Sequence, residues 1–293
     1  MIQTTASQPD SRRSRRILSA IVLTSAMLAP VVAFAQAKFI EPTKDELAMT
    51  SLPGYPGVAA VVLNKEEITK DDMHSVSHYR RIKILSEDGK KYANVELSFV
   101  STSGDYYSDD AGNEKTLEDI QGRTIHPDGT VIPFTGKPYL KVMEKGKDFK
   151  YQAKVFTLPD VTVGSIIEYR YATRISDNMV EAPTWVIQGD LYVKTARYMW
   201  YPTSQTLHNR HGDIHTITWF PILPKGAQIV HHEIPGMGAK GLPQYTYEVT
   251  VKDVPPVAEE EYMPPLANYS YRVYWNFISE HDADVYWKSE GKD

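Results

Sequence analysis

Proline and glycine interrupt this chain so regularly that long helices are excluded over most of its length. The 293 residues include 19 prolines and 17 glycines, and most windows of twelve residues contain at least one of them. Proline removes a backbone donor and glycine weakens a helix, so each of these positions limits a helix to a few turns. The chain therefore has to build its core mainly from short extended segments.

Between these interruptions, apolar and polar residues alternate with the two-residue period of β-strands. The pair Asp88-Gly89 lies between two alternating segments and predicts a hairpin. The pair Asp128-Gly129 lies in the same context and predicts a second hairpin. Strands are predicted over residues 58–63, 75–85, 92–100, 124–126, 130–132, 155–157, 166–171, 184–193, 195–201, 214–220, 228–234, 245–252 and 269–277.

Helical signals are confined to the two ends of the mature chain. Thr43 followed by Glu46 has the spacing of a capping box and predicts a short helix around residues 44–50. Ser279 with Asp282 three residues later predicts the start of a helix that stops without a C-terminal cap. We therefore expect an all-β or β-dominant, β-sandwich-like fold with a short N-terminal helix and an incomplete C-terminal helix. The strands form one sandwich or two packed sandwich halves that meet near residues 175–185.

The first 35 residues have the three parts of a secretory signal. A basic cluster precedes an apolar run over residues 17–35, and Ala33 and Ala35 place small residues at the cleavage positions. Cleavage before Gln36 predicts a periplasmic or secreted protein with no stable membrane insertion. An uncleaved anchor is the alternative, but Pro30 interrupts the apolar run, and a membrane span needs about 20 apolar residues. The Sec and twin-arginine export routes both remain open.

The remaining chain divides into three segments by its patterns. Residues 36–57 are a lead-in that contains the predicted helix, and residues 58–278 form the β-sandwich-like domain. Residues 279–293 are the expected start of a linker helix to a further module.

Charge and cysteine content exclude several classes of function. The chain has 32 basic and 37 acidic residues, and the signal holds four arginines and one aspartate, so the mature chain has a net charge of −8. An acidic chain of this kind argues against binding to nucleic acid or to an anionic membrane surface. The absence of cysteine excludes disulfides, thiol nucleophiles and zinc–thiolate sites.

Several clusters contain residue types that bind ions or phosphates, but their spacing favours ordinary solvated segments. The histidines bracket a turn, and the acidic loop lacks the spacing of an EF-hand. Adjacent glutamates on an extended segment point to opposite sides. The glycine motif is not followed by a helix, which phosphate binding requires. We therefore predict no catalytic, cofactor-binding or metal-binding residue and no cofactor. The clusters are His208, His211, His215, His231 and His232; Asp105, Asp109, Asp110, Asn113 and Glu114; Glu259, Glu260 and Glu261; and the G-x-G-x-x-G motif of residues 236–241.

Aromatic residues offer a different kind of site. The chain has 19 tyrosines and 5 tryptophans, and two groups of them follow the alternating pattern. Such side chains form either a flat platform for a sugar or peptide, or the packing of a sheet face. The candidates for a platform are Trp200, Tyr201, Tyr269, Tyr271, Tyr274 and Trp275.

Three segments together resemble a known family. They are residues 125–129 (Ile-His-Pro-Asp-Gly), residues 156–171 (from Phe-Thr-Leu-Pro to Ile-Ile-Glu-Tyr-Arg-Tyr) and residues 254–265 (from Val-Pro-Pro-Val to Met-Pro-Pro). Their order and spacing resemble a bacterial exported domain of unknown function that precedes transglutaminase-like domains, over about residues 58–275. The resemblance implies a β-sandwich-like fold and a transglutaminase module after a Trp-Lys segment such as residues 287–288. No catalytic residue of that module can be mapped, because this chain has no cysteine.

These observations favour a non-catalytic, periplasmic or secreted domain. We expect it to be the N-terminal accessory part of a transglutaminase-like protein, with a structural role or a role in binding a cell-envelope protein, a peptide or a glycan. The alternative is a stand-alone glycan- or peptide-binding module that uses the aromatic face. A metal-dependent hydrolase built on the histidines is the third possibility.

Overall fold

The computed structural model describes residues 39–102, 115–147, 149–175, 181–203, 216–235, 244–257, 262–263 and 269–278. The chain divides into two compact units, Met1–Glu41 and Pro42–Asp293. The described residues of the first unit, 39–41, contain no helix or strand, and all elements below belong to the second unit. The predicted export signal and the predicted C-terminal helix lie outside the described residues.

Strands dominate the described chain, as predicted. They account for 58% of it, and helical segments for 8%. One short α-helix, α1 (Lys44–Ala48), precedes fourteen strands in that part of the chain, and 3-10 segments cover Asp71–Met73 and Glu87–Ala93. The strands are β1 (Ala60–Lys70), β2 (Ser75–Ile84), β3 (Asn94–Thr102), β4 (Lys115–Ile125), β5 (Val131–Pro133), β6 (Tyr139–Lys145), β7 (Phe149–Thr157), β8 (Ile166–Ile175), β9 (Thr184–Val186), β10 (Tyr192–Tyr201), β11 (Thr216–Ile222), β12 (Val230–Ile234), β13 (Gln244–Val254) and β14 (Arg272–Ile278).

The strands form one large sheet and two small ones. The eight-stranded sheet has the order β12-β13-β10-β1-β2-β8-β4-β5, and the three-stranded sheets have the orders β3-β7-β6 and β11-β14-β9. All pairs in the large sheet are antiparallel except β1 with β10. This parallel pair joins strands from before and after residues 175–185, so the large sheet is continuous across that position.

The two small sheets pack against the same face of the large sheet, which makes the fold sandwich-like. Phe156 of β7 contacts Tyr169 of β8 edge-on, with the ring centroids 6.1 Å apart. Trp185 of β9 contacts Tyr198 of β10, with the centroids 5.7 Å apart. These four residues belong to one buried hydrophobic cluster that takes residues from all three sheets. The burial of this continuous apolar cluster is the main stabilising contribution.

The part of the lead-in segment that belongs to the second unit packs against the opposite face of the large sheet. The capping box forms as predicted: the hydroxyl of Thr43 accepts from the Glu46 amide at 3.1 Å, and the Glu46 carboxylate accepts from the Thr43 amide at 2.7 Å. Lys83, fully buried on β2, donates to the carbonyl of Leu47 at 2.8 Å. A second hydrophobic cluster around Val61 and Ile166 forms beside it. The part of the chain that is described contains no helix with the length and apolarity that a bilayer crossing demands.

One predicted hairpin is confirmed and the other is wrong. Asp128-Gly129 connects β4 to β5, which pair antiparallel. Asp88-Gly89 lies in a 3-10 segment instead, and the strands on its two sides, β2 and β3, belong to different sheets. A Cβ atom at Gly89 would lie 2.1 Å from the carbonyl oxygen of Ala59. Glycine is therefore needed there for close backbone approach and not for a hairpin turn.

Candidate functional site

A cavity of about 310 Å³ lies on the covered face of the large sheet. Strands β1, β2 and β8 form its floor. Residues of β3 and β4 line one side, and the segment that leads into β9 lines another. The cavity is therefore bounded by parts of both small sheets, where they leave the middle of the large sheet uncovered. Its volume is at the lower end of the range for ligand pockets, about 300–1,000 Å³.

The floor of the cavity carries polar side chains in neighbouring rows across the sheet. In one row, Glu67 of β1 is opposite His78 of β2, and His78 is opposite Tyr171 of β8. In the next row, Thr69 of β1 is opposite Val76 of β2, and Val76 is opposite Thr173 of β8. We call Glu67, Thr69, His78 and Thr173 the central polar stripe. Burying polar groups on the covered face of a sheet costs free energy unless they form hydrogen bonds. The stripe is therefore a candidate for a functional site.

His78 connects two members of the stripe. Its Nε2 atom lies 3.1 Å from the Thr173 hydroxyl oxygen, and its Nδ1 atom lies 3.6 Å from a carboxylate oxygen of Glu67. The imidazole stacks on the ring of Tyr171, with the centroids 4.3 Å apart and the planes inclined by 14°. Burial raises the pKa of Tyr171, and nearby Tyr169 and Glu67 raise it further. The phenol therefore stays neutral, and the stacked ring holds the orientation of the imidazole.

Thr69 is the member of the stripe that has no partner. Its side chain is 3% exposed, and its buried hydroxyl makes no hydrogen bond in the structure. Leaving a buried hydroxyl unpaired costs about 1–3 kcal/mol. Thr69 is one of the residues that line the cavity, so a ligand group that reaches its hydroxyl would recover that cost.

The rim of the cavity carries both signs of charge. Lys115 of β4 and Glu181 form an ion pair with 2.6 Å between the ammonium nitrogen and the carboxylate oxygen, and both side chains are partly exposed. Phe99, Leu117 and Pro183 add apolar surface between the charges. The lining therefore offers a carboxylate, an ammonium group and an apolar wall to the same ligand.

The arrangement is better suited to holding a ligand than to acyl transfer. A hydroxyl, an imidazole and a carboxylate in sequence are the parts of a catalytic triad. Here the imidazole–carboxylate separation of 3.6 Å exceeds hydrogen-bond length. Thr173 also lies within β8, paired with Val76 on one side and Leu117 on the other, so the described backbone offers no pair of free amides beside the hydroxyl for an oxyanion.

Lys65 lies one row from the stripe and makes the covered face sensitive to pH. Its ammonium donates to the carbonyl of Val186 at 2.6 Å and lies 5.3 Å from the ring centroid of Tyr198. Burial lowers the pKa of Lys65 from 10.5 to about 8; the positive charge of Arg80 lowers it further, and Glu67 opposes the shift. The neutral amine is therefore favoured in the folded state more than in the unfolded chain.

This shift predicts a rise in stability with pH. Between about pH 8 and 10.5, the unfolded chain holds the Lys65 proton and the folded chain does not, so the free energy of unfolding increases as pH rises. Urea unfolding between pH 7.5 and 9.5 is expected to show this increase in the wild type and a smaller increase in Lys65→Met, because Lys83, whose pKa burial also lowers, still contributes. Parallel curves for the two proteins would refute the assignment. Staying below pH 10 avoids Tyr92 and Tyr192, whose pKa values burial raises to about 12 and which act in the opposite direction.

Two of the motifs that carry the family resemblance, residues 125–129 and 156–171, come together through the pairing of β4 with β8, and part of them lies on the opposite face of the large sheet. Glu168 accepts from Nε of Arg81 and from Nε of Arg123, each at 2.5 Å. The Ile-His-Pro-Asp-Gly motif lies close by: His126 Nε2 is 2.9 Å from the Asp160 carbonyl oxygen. Gly164 has a φ of +87°, and a Cβ atom there would lie 2.9 Å from Pro127. These motif residues therefore make contacts that stabilise the fold, and Tyr171, the last residue of the second motif, also lines the cavity.

Most clusters that the sequence singled out lie outside the described residues. This holds for the histidines at 208, 211 and 215, the acidic loop at 105–114, the glutamates at 259–261 and the glycine motif at 236–241. His231 and His232 are described: both are exposed on β12, and His231 packs against Tyr245. Among the described residues, no group of three or more histidines and carboxylates is close enough to hold a metal ion.

The aromatic platform is wrong for its two tryptophans. Trp200 is fully buried and Trp275 is 3% exposed, and their ring centroids lie 5.2 Å apart where the β11-β14-β9 sheet meets the large sheet. Apolar aromatic area is more stable in the core than on a binding face. Of the other candidates, Tyr269 is exposed, and Tyr201, Tyr271 and Tyr274 are half-buried.

The sequence contained a signal for the cavity that residue type alone did not reveal. His78 shares a strand face with Val76, Arg80, Ile82 and Ile84, so two ionisable groups interrupt an otherwise apolar face. Glu67 and Thr69 occupy the same face of β1 by the two-residue period. The signal becomes specific only when the pairing of β1, β2 and β8 is known, because these strands are distant in sequence.

Comparison with known proteins agrees with this architecture. A crystal structure of a "putative protease" from Parabacteroides distasonis matches with a TM-score of 0.53 and 12% sequence identity, over 74% of this chain and 40% of that chain. This likeness concerns the fold, and this chain spans well under half the length of that structure. No curated protein matches the chain significantly. The model of the Domain of Unknown Function with a solved structure, DUF3857, matches residues 70–258. Because this match spans more than half of the chain, the chain belongs to the DUF3857 family.

Proposed function

We propose that this chain is an exported, non-catalytic binding domain that holds the end of a peptide in the cavity on the large sheet. The observation that carries the proposal is that Thr69, whose buried hydroxyl has no hydrogen-bond partner among the described residues, and Glu67 both line that cavity. The Thr69 hydroxyl and the Glu67 carboxylate can both accept hydrogen bonds, and a peptide ammonium group donates several.

The distribution of charge favours a peptide end over an uncharged ligand. Glu67 on the floor suits an ammonium group, and Lys115 at the rim, which also pairs with Glu181, can face a carboxylate. Phe99 and Leu117 provide apolar contact for a side chain between these two charges. A sugar of similar size can form a hydrogen bond with the Thr69 hydroxyl. It carries no charge, however, to offset the Glu67 carboxylate or the Lys115 ammonium.

An accessory role in a longer protein is the second part of the proposal. The three segments that resemble domains preceding transglutaminase-like modules support it, as does the length of the Parabacteroides distasonis protein, of which this chain spans 40%. In this arrangement the domain presents a peptide substrate or a partner to a downstream Cys-His-Asp module. Sequencing of the DNA downstream of Asp293 tests this role: an in-frame module with these three residues supports it, and a long non-coding gap opposes it.

Export is the third part, and it rests on the N-terminal basic cluster, the apolar run and Ala33 with Ala35. N-terminal sequencing of the protein recovered from a periplasmic fraction is expected to begin at Gln36. Recovery of the intact N-terminus from the cytoplasm would contradict export.

Binding of a dipeptide tests the cavity directly. We expect Ala-Phe to bind the full chain in isothermal titration calorimetry and Glu67→Gln to weaken that binding about tenfold or more, because a hydrogen bond to a charged group is worth about 1.5–3 kcal/mol. Thr69→Val is expected to weaken binding several-fold while it leaves the unliganded protein at least as stable as the wild type, since it removes an unpaired polar atom.

The matched control is Glu118→Gln. Glu118 lies on β4, next in sequence to the cavity residue Leu117, but its side chain is exposed and pairs with Arg174. It should leave the dissociation constant unchanged. Equal weakening by Glu118→Gln and Glu67→Gln would show a general charge effect and reject the site. Binding of N-acetylglucosamine in place of Ala-Phe would favour the glycan alternative.

A further inference from the structure

The edge of one small sheet is fully open. Strand β6 is the last strand in the order β3-β7-β6 and pairs with β7 alone among the described strands. All seven residues of β6 are exposed, so neither face of the strand is covered. The backbone groups on its outer edge therefore have no strand partner in the described part of the chain. Such an edge is a template for the addition of another strand.

Large apolar side chains are concentrated at this edge. Tyr139 is 60% exposed, and Leu140 and Val142 are each 55% exposed. Met143 and Phe149 of the same hairpin are also exposed. Apolar side chains on both sides of an open strand are typical of interaction sites and are normally avoided at edges that have no partner.

The same hairpin carries a positive charge in an acidic protein. Residues 137–154 include six lysines and two acidic residues, a net charge of +4 in a chain whose overall net charge is −5. Lysine on an edge strand discourages indiscriminate pairing. Combined with the exposed apolar groups, it selects an acidic partner, because opposite charges strengthen association and like charges oppose it.

We propose that β6 binds an acidic, extended segment of a partner protein, which adds to the β3-β7-β6 sheet as a fourth strand. Backbone hydrogen bonds along the β6 edge provide register. Alternate apolar side chains of the segment contact Leu140 and Val142, and its carboxylates face lysines such as Lys145 and Lys150. A second copy of this chain is a poor occupant, because each copy would bring the same net charge of +4 to the contact.

The test uses a fluorescein-labelled nine-residue peptide of alternating glutamate and valine. We expect fluorescence anisotropy to show saturable binding to the full chain that weakens as salt concentration rises. Val142→Glu is expected to weaken binding at least tenfold, because it places a like charge and a polar group at the contact. The matched control is Val230→Glu, which makes the same change at an exposed valine on β12, the edge strand of the large sheet; it should leave binding unchanged.

A peptide with N-methyl groups on alternate amides along one edge separates strand addition from simple charge attraction. Its charge is unchanged but it cannot complete the ladder, so strand addition predicts loss of binding. Undiminished binding of the methylated peptide, or no binding of the parent peptide, would overturn the proposal. Binding of phosphatidylglycerol vesicles that depends on Val142 while the peptide fails to bind would assign the surface to lipid instead. Concentration-dependent dimers in sedimentation that Val142→Glu abolishes would assign it to a second copy.

Discussion

Replacing Glu168 with glutamine is expected to lower the free energy of unfolding by about 3–5 kcal/mol. Glu168 is fully buried, and its two carboxylate oxygens accept from Arg81 and Arg123. The hydroxyl of Tyr79 also donates to it at 2.6 Å. An amide of the same shape removes the charge that both guanidinium groups share and turns one acceptor into a donor. Urea denaturation at pH 7 measures the effect.

The expected loss is large because the arginines have little access to water. Arg81 is 4% exposed, and it also pairs with the carboxylate of Glu46 of α1, at 2.9 Å. The network therefore ties the lead-in helix to the large sheet, and its disruption should also loosen α1. A domain of this kind has a total stability of about 5–15 kcal/mol, so the substitution removes a substantial part of it.

Glu118→Gln serves again as the control, because the Glu118–Arg174 pair is exposed on both sides. Exposed ion pairs contribute about 0–1 kcal/mol, so its effect should be several-fold smaller. Similar losses in the two variants would show that the buried carboxylate has no special role, and the structural assignment of the family motif around Glu168 would fail.

Replacing Trp275 with alanine is expected to cost about 3–5 kcal/mol of stability, the typical range for a large aromatic side chain in a core. The Trp275 ring has centroid distances of 5.0 Å to Trp185, 5.2 Å to Trp200 and 4.8 Å to Tyr247. Its removal leaves a void that these rings cannot fill without moving the β11-β14-β9 sheet. Thermal and urea unfolding of the purified variant measure the loss.

Tyr269→Ala is the control for this substitution. Tyr269 is an aromatic residue near the same strand but is 56% exposed, so its removal should change stability by less than about 1 kcal/mol. If Trp275→Ala instead keeps wild-type stability and abolishes glycan binding, the aromatic side chain acts as a binding platform and the buried cluster described above is incorrect.

Local signals in the sequence predicted the local structure well. The Thr43–Glu46 capping box forms and begins α1. The Asp128-Gly129 pair forms the predicted hairpin, with the Gly129 amide donating to the His126 carbonyl at 2.9 Å. In both cases, residues close in the chain provide all the hydrogen bonds that define the element, so no distant partner was needed for the prediction.

Signals that depend on distant partners were ambiguous. Asp88-Gly89 has the same residue types as the true hairpin, yet its glycine allows close approach to Ala59. The parallel pairing of β1 with β10 joins residues such as Lys65 and Ala196, and no local pattern specifies it. For the same reason the alternation around Trp200 and Trp275 did not distinguish a packed interface from an exposed platform.

The cavity depends both on local signals and on distant partners. The alternation placed His78 on the same face as Ile82 and Ile84, which was sufficient to mark it as unusual. Its neighbours Glu67 and Thr173 come from β1 and β8, and only the assembled sheet brings them within reach. The volume above them depends on the small sheets and on the segment leading to β9, which strand patterns do not position.

The most direct measurement of the central claim is the location of a bound dipeptide on the protein. Nuclear Overhauser contacts between Ala-Phe and the full chain are expected from the rings of Tyr171, His78 and Phe99, which border the cavity, and they should be lost in Glu67→Gln. Contacts confined to residues outside the cavity, or contacts that persist unchanged in Glu67→Gln, would contradict the claim that the central polar stripe holds a peptide end.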